Sequence, residues 1–304
     1  MVRRRVIEEP SSRLAVWSLR LALFSLAATF IAIVIVRSGA LDIVPALSTL
    51  AGALVLAVVA ILLALGAGIV IWRQGCGGVR QALFAILIGC ALIAYPAYLG
   101  AKAYKLPSIY DVTTDPIDPP QFDAIARLRP RDANPVTYQG LYAAELQHTA
   151  YSDIEPEESS ATPQEAYDAV MKVITRRRWR IVDARPPQPA APAPAPARAS
   201  NPRQVRDEPA AASDAIIEAV ARSLILGFRE DVVVRIRATG DGTRIDVRSA
   251  SRYGRNDLGS NAARVRDLIG AIDDVLSTPH PDKAPAAKPP RPNQPARGGH
   301  SAKR

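Results

Sequence analysis

Asp246-Val247-Arg248-Ser249-Ala250-Ser251-Arg252-Tyr253-Gly254-Arg255-Asn256-Asp257-Leu258-Gly259-Ser260-Asn261 carries the chain out of a strand, through a glycine turn and into a helix. Immediately upstream, Val232, Val234 and Ile236 alternate with Val233, Arg235 and Arg237 over Asp231–Ala238, the period of a strand with one buried and one mostly wet face. Asp241-Gly242 supplies a tight turn, and Thr243–Ala250 returns with Ile245 and Val247 inward and Arg244, Asp246 and Arg248 outward. A two-residue turn there sets Arg237 opposite Asp246. Downstream, capped by Asp257 or Ser260, a helix aligns Val265, Leu268, Ile269, Ile272, Val275 and Leu276 as a buried stripe.

Before this stretch, Thr162-Pro163-Gln164-Glu165 is a capping box with proline at the first helical position. Its helix places Tyr167, Val170, Met171 and Ile174 on one stripe and ends in Arg176, Arg177 and Arg178, cations suited to the negative end of the dipole. Trp179–Ala184 then reads as a strand. Asp214–Phe228 fits both periods: Ile217, Val220, Ala221 and Leu224 are helically spaced, while Ile217, Ala219 and Ala221 alternate. Between these, residues 186–213 form a Pro/Ala-rich insert, an enlarged loop whose closure entropy grows only slowly with length. Lys105–Pro120 holds four prolines, which forbids a helix and leaves an extended arm with Asp111, Thr113, Thr114 and Asp115 free to cap turns.

The run from Asp246-Val247-Arg248-Ser249 to Leu258-Gly259-Ser260-Asn261-Ala262 resembles the signature of the bacterial and plastid family called domain of unknown function 1499. Asp111-Val112-Thr113-Thr114-Asp115, followed by Pro119, Pro120 and Phe122, is similar to an earlier family block. Gln147 and Tyr151-Ser152-Asp153-Ile154 are similar to another, with serine where proline is usual. The resemblance spans roughly Leu106 to Leu276, makes Asp214–Phe228 a strand, and implies no established reaction.

The first third of the chain is of another kind. Uncharged runs extend over Leu21–Val36, Ile43–Trp72 and Gln81–Ala101, and about 20 apolar helical residues cross a bilayer. The first run is completed by Leu14–Leu19, with Arg20 snorkelling to the headgroups. Its apolar core is too long for a cleaved signal peptide, despite Ser38-Gly39-Ala40. Arg3, Arg4, Arg5 and Arg13 before the first span and Arg73 and Arg80 after the second outnumber Arg37, although Lys102 and Lys105 follow the third. The positive-inside rule then places the amino terminus in the cytoplasm and the domain outside. The expected order is a cytoplasmic segment (1–13), three spans (14–101), a periplasmic domain (102–278) and a disordered basic tail (279–304). The fold class is α+β: a small antiparallel sheet of about four strands covered by two helices. The location is a bacterial inner membrane, multi-pass.

The net charge of +9 is concentrated in that tail, where the last 26 residues hold six Lys or Arg against one Asp. Its counterparts outside a membrane are anionic lipid headgroups, wall polymer or another envelope protein, not nucleic acid. Cys76 and Cys90 both belong to the membrane region, so no thiol chemistry is available to the domain. His148 alone builds neither a zinc site nor a triad, so no cofactor or metal is expected. Glu230 and Asp231 are neighbours on a strand and point to opposite faces, a poor acid/base couple.

The strongest site candidate is Arg248, Arg252 and Arg255 with Gly254, Asp257, Gly259 and Asn261, since guanidinium forks and helix-start amides together favour a phosphate or carboxylate. The plainer reading pairs these arginines with Asp246, Asp257 and the Asp111, Thr113, Thr114, Asp115 arm, locking the arm to the domain. Three functions follow: an envelope binding or scaffolding module; a periplasmic hydrolase of lipid or glycan using Asp111, Asp115, Asp231 or Asp257; or anion recognition by the arginine turn.

Overall fold

The computed structural model describes residues 11–188 and 214–278. The expectations placed on residues 1–10, on most of the 186–213 insert and on the 279–304 tail lie outside the described residues.

Helices α1 (Arg13–Ser38), α2 (Ile43–Gln74) and α3 (Val79–Lys105) form one bundle. Gly39 and Gly75 close the first two in the left-handed conformation that glycine adopts without strain. The bundle is packed through small residues. Ala15, Ser18, Ala22, Ser25, Thr29 and Ala32 recur at alternating spacings of three and four along α1, facing Ala53, Ala57, Ala60 and Ala64 of α2. The Ser25 hydroxyl donates to the Ala53 carbonyl at 2.7 Å. Many of the large side chains point away from this seam, with Phe30 68% and Leu87 63% exposed. In water each such residue forgoes about 1.5–3 kcal/mol; in lipid it forgoes nothing, and small residues at the seam are what close helix approach requires. All three helices are long and apolar enough to span a membrane.

The domain is an antiparallel sheet of six strands: β1 (Asp111–Thr113), β2 (Glu157–Ser159), β3 (Arg180–Arg185), β4 (Ala215–Arg222), β5 (Arg229–Thr239) and β6 (Gly242–Ser251). The order is β1-β6-β5-β4-β3, with β2 pairing beside β1 on the outer edge of β6. Between β1 and β2 run two short helices, α4 (Ala124–Leu128) and α5 (Leu141–Ala150). β3, β5 and β6 are the strands read from the residue pattern, and β4 forms within Asp214–Phe228, which fits both periods, as the family likeness implied. β1 and β2 are added where two extended segments meet a free edge.

One face is apolar and lies beneath α6 (Pro163–Arg176) and α7 (Ser260–Ser277). The capping box forms reciprocally: Thr162 accepts from the Glu165 amide, and the Glu165 carboxylate accepts from the Thr162 amide. Val170 and Ile174 of α6 and Val265, Leu268 and Ile272 of α7 are fully buried against Ile217, Val232, Val234, Ile236, Ile245 and Val247.

Two expectations are corrected. The face of β5 and β6 read as wet is closed: Val233, Asp246 and Arg248 have no exposure, because residues 114–136 fold across it and seat Phe122 and Ile125 on Val220, Val233 and Ala250. The hairpin turns through Gly240-Asp241, so Arg235 faces Asp246 and Arg237 faces Arg244. Gly242 belongs to the strand, where the backbone of Ser159 and Ser160 occupies the space a Cβ would fill.

Replacing Gly242 by alanine must push β2 off the edge of β6, an overpacking cost of about 1–3 kcal/mol. The thermal midpoint of the full-length protein in detergent should fall by several degrees. Gly240→Ala, which meets nothing within 4 Å, should move it far less.

Candidate functional site

The residues singled out in the sequence are wired to the arm, and Arg248 is the hub. It stands in β6 and, among the described residues, is the largest side chain with no exposure. Its Nε and Nη2 donate to the two carboxylate oxygens of Asp111 at 3.0 and 2.7 Å, Nη1 donates to the Pro120 carbonyl at 2.9 Å, and Nη2 also donates to the Val136 carbonyl at 2.7 Å. The rings of Phe122 and Tyr138 lie 4.6 and 5.6 Å from its guanidinium carbon. Such cation–π contacts strengthen to about 2 kcal/mol when water is absent. Burial, reinforced by the Asp111 charge, raises the Tyr138 phenol well above its ordinary range, so it stays neutral beside the pair.

Arg252 forms the next pair on the same face. Its Nε and Nη2 donate to Asp231 at 2.9 and 2.8 Å, and Arg129 donates to the same carboxylate at 2.6 Å. Arg129 also holds the Asn134 and Pro135 carbonyls at 2.8 and 2.9 Å. The third cluster sits further along β5 and β6, where Asp246 accepts from Arg235 (3.0 Å), Arg237 (2.8 Å) and Arg244 (2.9 Å). Asp115 joins it through Arg244 at 2.8 Å and Arg237 at 3.3 Å. Partial burial opposes ionisation of Asp115, but the amides of Asp118 and Ile117 and the Arg244 and Arg235 charges outweigh it and hold its carboxyl below the ordinary range.

The turn itself is closed by its own residues. The Asp257 carboxylate accepts the amides of Gly259 (3.0 Å) and Asn261 (2.7 Å), occupying the start of α7 with a charge of the sign the helix dipole favours. Gly259, left-handed at φ 73°, is the residue before the helix, and Leu106 and the Tyr151 hydroxyl press where its Cβ would stand. Asn261 has no exposure: its amide nitrogen donates to the Tyr110 carbonyl and the Ser251 hydroxyl, and its oxygen accepts from Ser249 and Arg264. Burial, with Arg177 nearby, pushes Arg264 down to about 10, so it remains charged at neutral pH and pairs with Glu230. Gly254 (φ 87°) lets the chain reverse, its carbonyl taking the Asn134 side chain. Arg255 is exposed and contributes only its carbonyl, to the Ser108 hydroxyl.

The arm is stitched on by backbone as well. Thr114 exchanges a pair of 2.9 Å bonds with the Val247 backbone, and the Gln147 side chain pairs with both backbone groups of Thr113 as a strand neighbour would. The three arginines therefore do not converge: Arg248 and Arg252 are inside on different carboxylates, and Arg255 is apart on the surface. Glu230 and Asp231 do point to opposite faces. Arg129 and Asp118, both central to the ion pairs, carry no local pattern that marks them; Asp118 reaches Arg235 at 3.0 Å from 117 positions away.

Removing one member of the enclosed pair strands the other, at about 3–5 kcal/mol, whereas apolar replacement of both costs much less. Arg248→Met alone should therefore destabilise the full-length protein more than Asp111→Leu with Arg248→Met, in denaturant melts forming a double-mutant cycle. The pH dependence follows from Asp115. Its carboxyl pKa is lowered on folding, so its contribution is complete above the ordinary aspartate value near about 3.9 and disappears as pH falls through the lower native value. Hydrogen exchange in residues 111–118 should accelerate in that acid window, and Asp115→Asn should flatten the dependence.

A family model described as "Protein of unknown function (DUF1499)" matches residues 111–272, just over half of the chain and the same span the ion pairs hold together. Among curated proteins and solved structures, none matches the chain. With both signature blocks, Asp111–Asp115 and Asp246–Asn261, inside the matched span, the chain belongs to the DUF1499 family.

Proposed function

We propose that this is a multi-pass protein of a bacterial inner membrane that presents its DUF1499 domain in the periplasm as a binding or scaffolding module of the cell envelope. The observation that carries this reading is the commitment of the signature side chains to cohesion. Asp111, Asp231, Asp246 and Arg248 have no exposure, and each meets an opposite charge inside the domain. A hydrolase acting on lipid or glycan would draw on the same carboxylates, and their enclosure favours the scaffold.

Orientation rests on the sequence positions of the basic residues, with Arg3, Arg4, Arg5 and Arg13 before the first span and Arg73 and Arg80 between the second and third, against Arg37 between the first and second. The basic residues of 279–304 offer a contact for wall polymer or for another envelope protein. Paired fusions after residue 150 test the orientation: alkaline phosphatase should be active there and green fluorescent protein dark, and the reverse pattern overturns the periplasmic reading.

A further inference from the structure

The β4–β5 hairpin turns through residues 223–228 directly over the end of α1. An Arg37 guanidinium nitrogen donates to the Leu224 carbonyl at 2.6 Å and to the Ile225 carbonyl at 3.3 Å, and a side chain at Gly227 would strike Arg37. At the tip, Leu224 is 89% exposed, an aliphatic side chain held where α1 ends and α2 begins. At the neck, the register sets Arg222 directly opposite Arg229. Like charges facing each other across a strand pair are destabilising. Both are exposed, and among the described residues neither makes an ion pair or side-chain hydrogen bond.

Two hollows meet at this neck. The smaller, about 220 Å³, lies between the α1–α2 connection and the hairpin, lined by Arg37, Arg222 and Arg229 against Asp42 and Asp132. The larger, about 440 Å³, runs along the ends of α2 and α3, lined by Leu47, Tyr95, Leu99 and Lys102 on the helix side. Ile43, Phe228, Arg229, Arg252 and Tyr253 line both, so the two are continuous, and the Arg252 guanidinium is turned inward onto Asp231. Glu230 and Asp257 also border the larger one, but they are engaged by Arg264 and by the α7 amides. On the domain side, Arg180 adds a further cation beside Arg222 and Arg229 in an adjoining hollow of about 180 Å³. The result is a groove that is apolar against membrane-facing helices and cationic against the domain.

We propose that this groove holds an acidic phospholipid of the surrounding leaflet, its phosphate between Arg222 and Arg229 and an acyl chain along Leu47, Tyr95 and Leu99. A phosphate between the facing arginines replaces their repulsion by two charge-assisted contacts, the arrangement guanidinium forks are built for. Leu224 enters the headgroup layer and holds the hairpin there, as aliphatic side chains at an interface do. Of the signature arginines, Arg248 and Arg255 do not line the groove, and Arg252 borders it with its guanidinium already held by Asp231.

The inference rests on the reading that α1–α3 lie in a bilayer, and not on which side the domain faces. Full-length protein in detergent, titrated with phosphatidylglycerol or with phosphatidylcholine of the same chains and read by native mass spectrometry, tests it. Two surface arginines should favour the acidic lipid roughly thirtyfold. Arg222→Gln with Arg229→Gln should bring the two lipids to parity at an unchanged melting midpoint, Arg222→Lys with Arg229→Lys should keep most of the preference, and Arg255→Gln should keep all of it. Equal retention of both lipids by the unaltered protein overturns the proposal, as does a preference that survives the glutamine pair. Displacement of phosphatidylglycerol by millimolar inorganic phosphate overturns it too, in favour of a site for free phosphate. A cytoplasmic position for residue 150 removes the periplasmic reading and leaves the groove standing; loss of lipid selectivity does the reverse.

Discussion

The Asp111–Arg248 pair is the constraint on which the domain depends. Taking a carboxylate and a guanidinium out of water costs several kcal/mol for each ion, and attraction between them recovers that only with good geometry and satisfied remaining donors. Here the geometry is bidentate, the remaining guanidinium contacts go to the Pro120 and Val136 carbonyls, and two aromatic rings exclude water. Those carbonyls belong to the arm. The charge on β6 is thus solvated by the segment that buries it, and neither can take its native place without the other.

The same logic organises the whole second face of the sheet. Its counterpart, under α6 and α7, is held by apolar contact, which is tolerant of direction. The arm side is held by directed contacts: Glu218, without exposure, accepts the amides of Asp123, Ala124 and Ile125 at 2.8–3.1 Å, Asp231 gathers Arg129 and Arg252, and Asp246 gathers three arginines. Acids and bases alternating over a sheet would resemble a catalytic surface if they were open. Closed, they specify one register and one path for a segment that has almost no regular structure of its own. The signature turn takes part through Asp257 and Asn261, which tie the start of α7 to β6 and to the Tyr110 carbonyl.

Where the domain meets the helices the pattern changes. Cations at the hairpin neck lack the carboxylate partners that those on the arm side have, and apolar side chains at its tip are turned outward. Among the described residues, buried charge is compensated within the chain, while Arg222 and Arg229 face each other at the hairpin neck beside the end of the bundle without an ion-pair partner.

Much was legible from residues alone, because the signals involved are local. The three spans follow from uncharged length, the start of α6 from a capping box four residues long, β5 and β6 from alternation, and α7 from a stripe at helical spacing. What required the tertiary structure was everything that depends on distance along the chain. Arg248 finds Asp111 across 137 positions and Arg129 finds Asp231 across 102, so no window of sequence contains both partners. The outward face of β5 and β6 alternates as a wet face does, since a guanidinium destined for a buried carboxylate and one destined for water are the same letter. The space that Gly242 leaves in β6 is likewise taken by a distant segment, the backbone of Ser159 and Ser160. Sequence alone determined which elements form, because helix caps, turns and periodicity are properties of neighbouring residues. Tertiary structure decided which charges are spent on cohesion and which remain for a ligand, because that choice depends on what lies within a few ångströms in space.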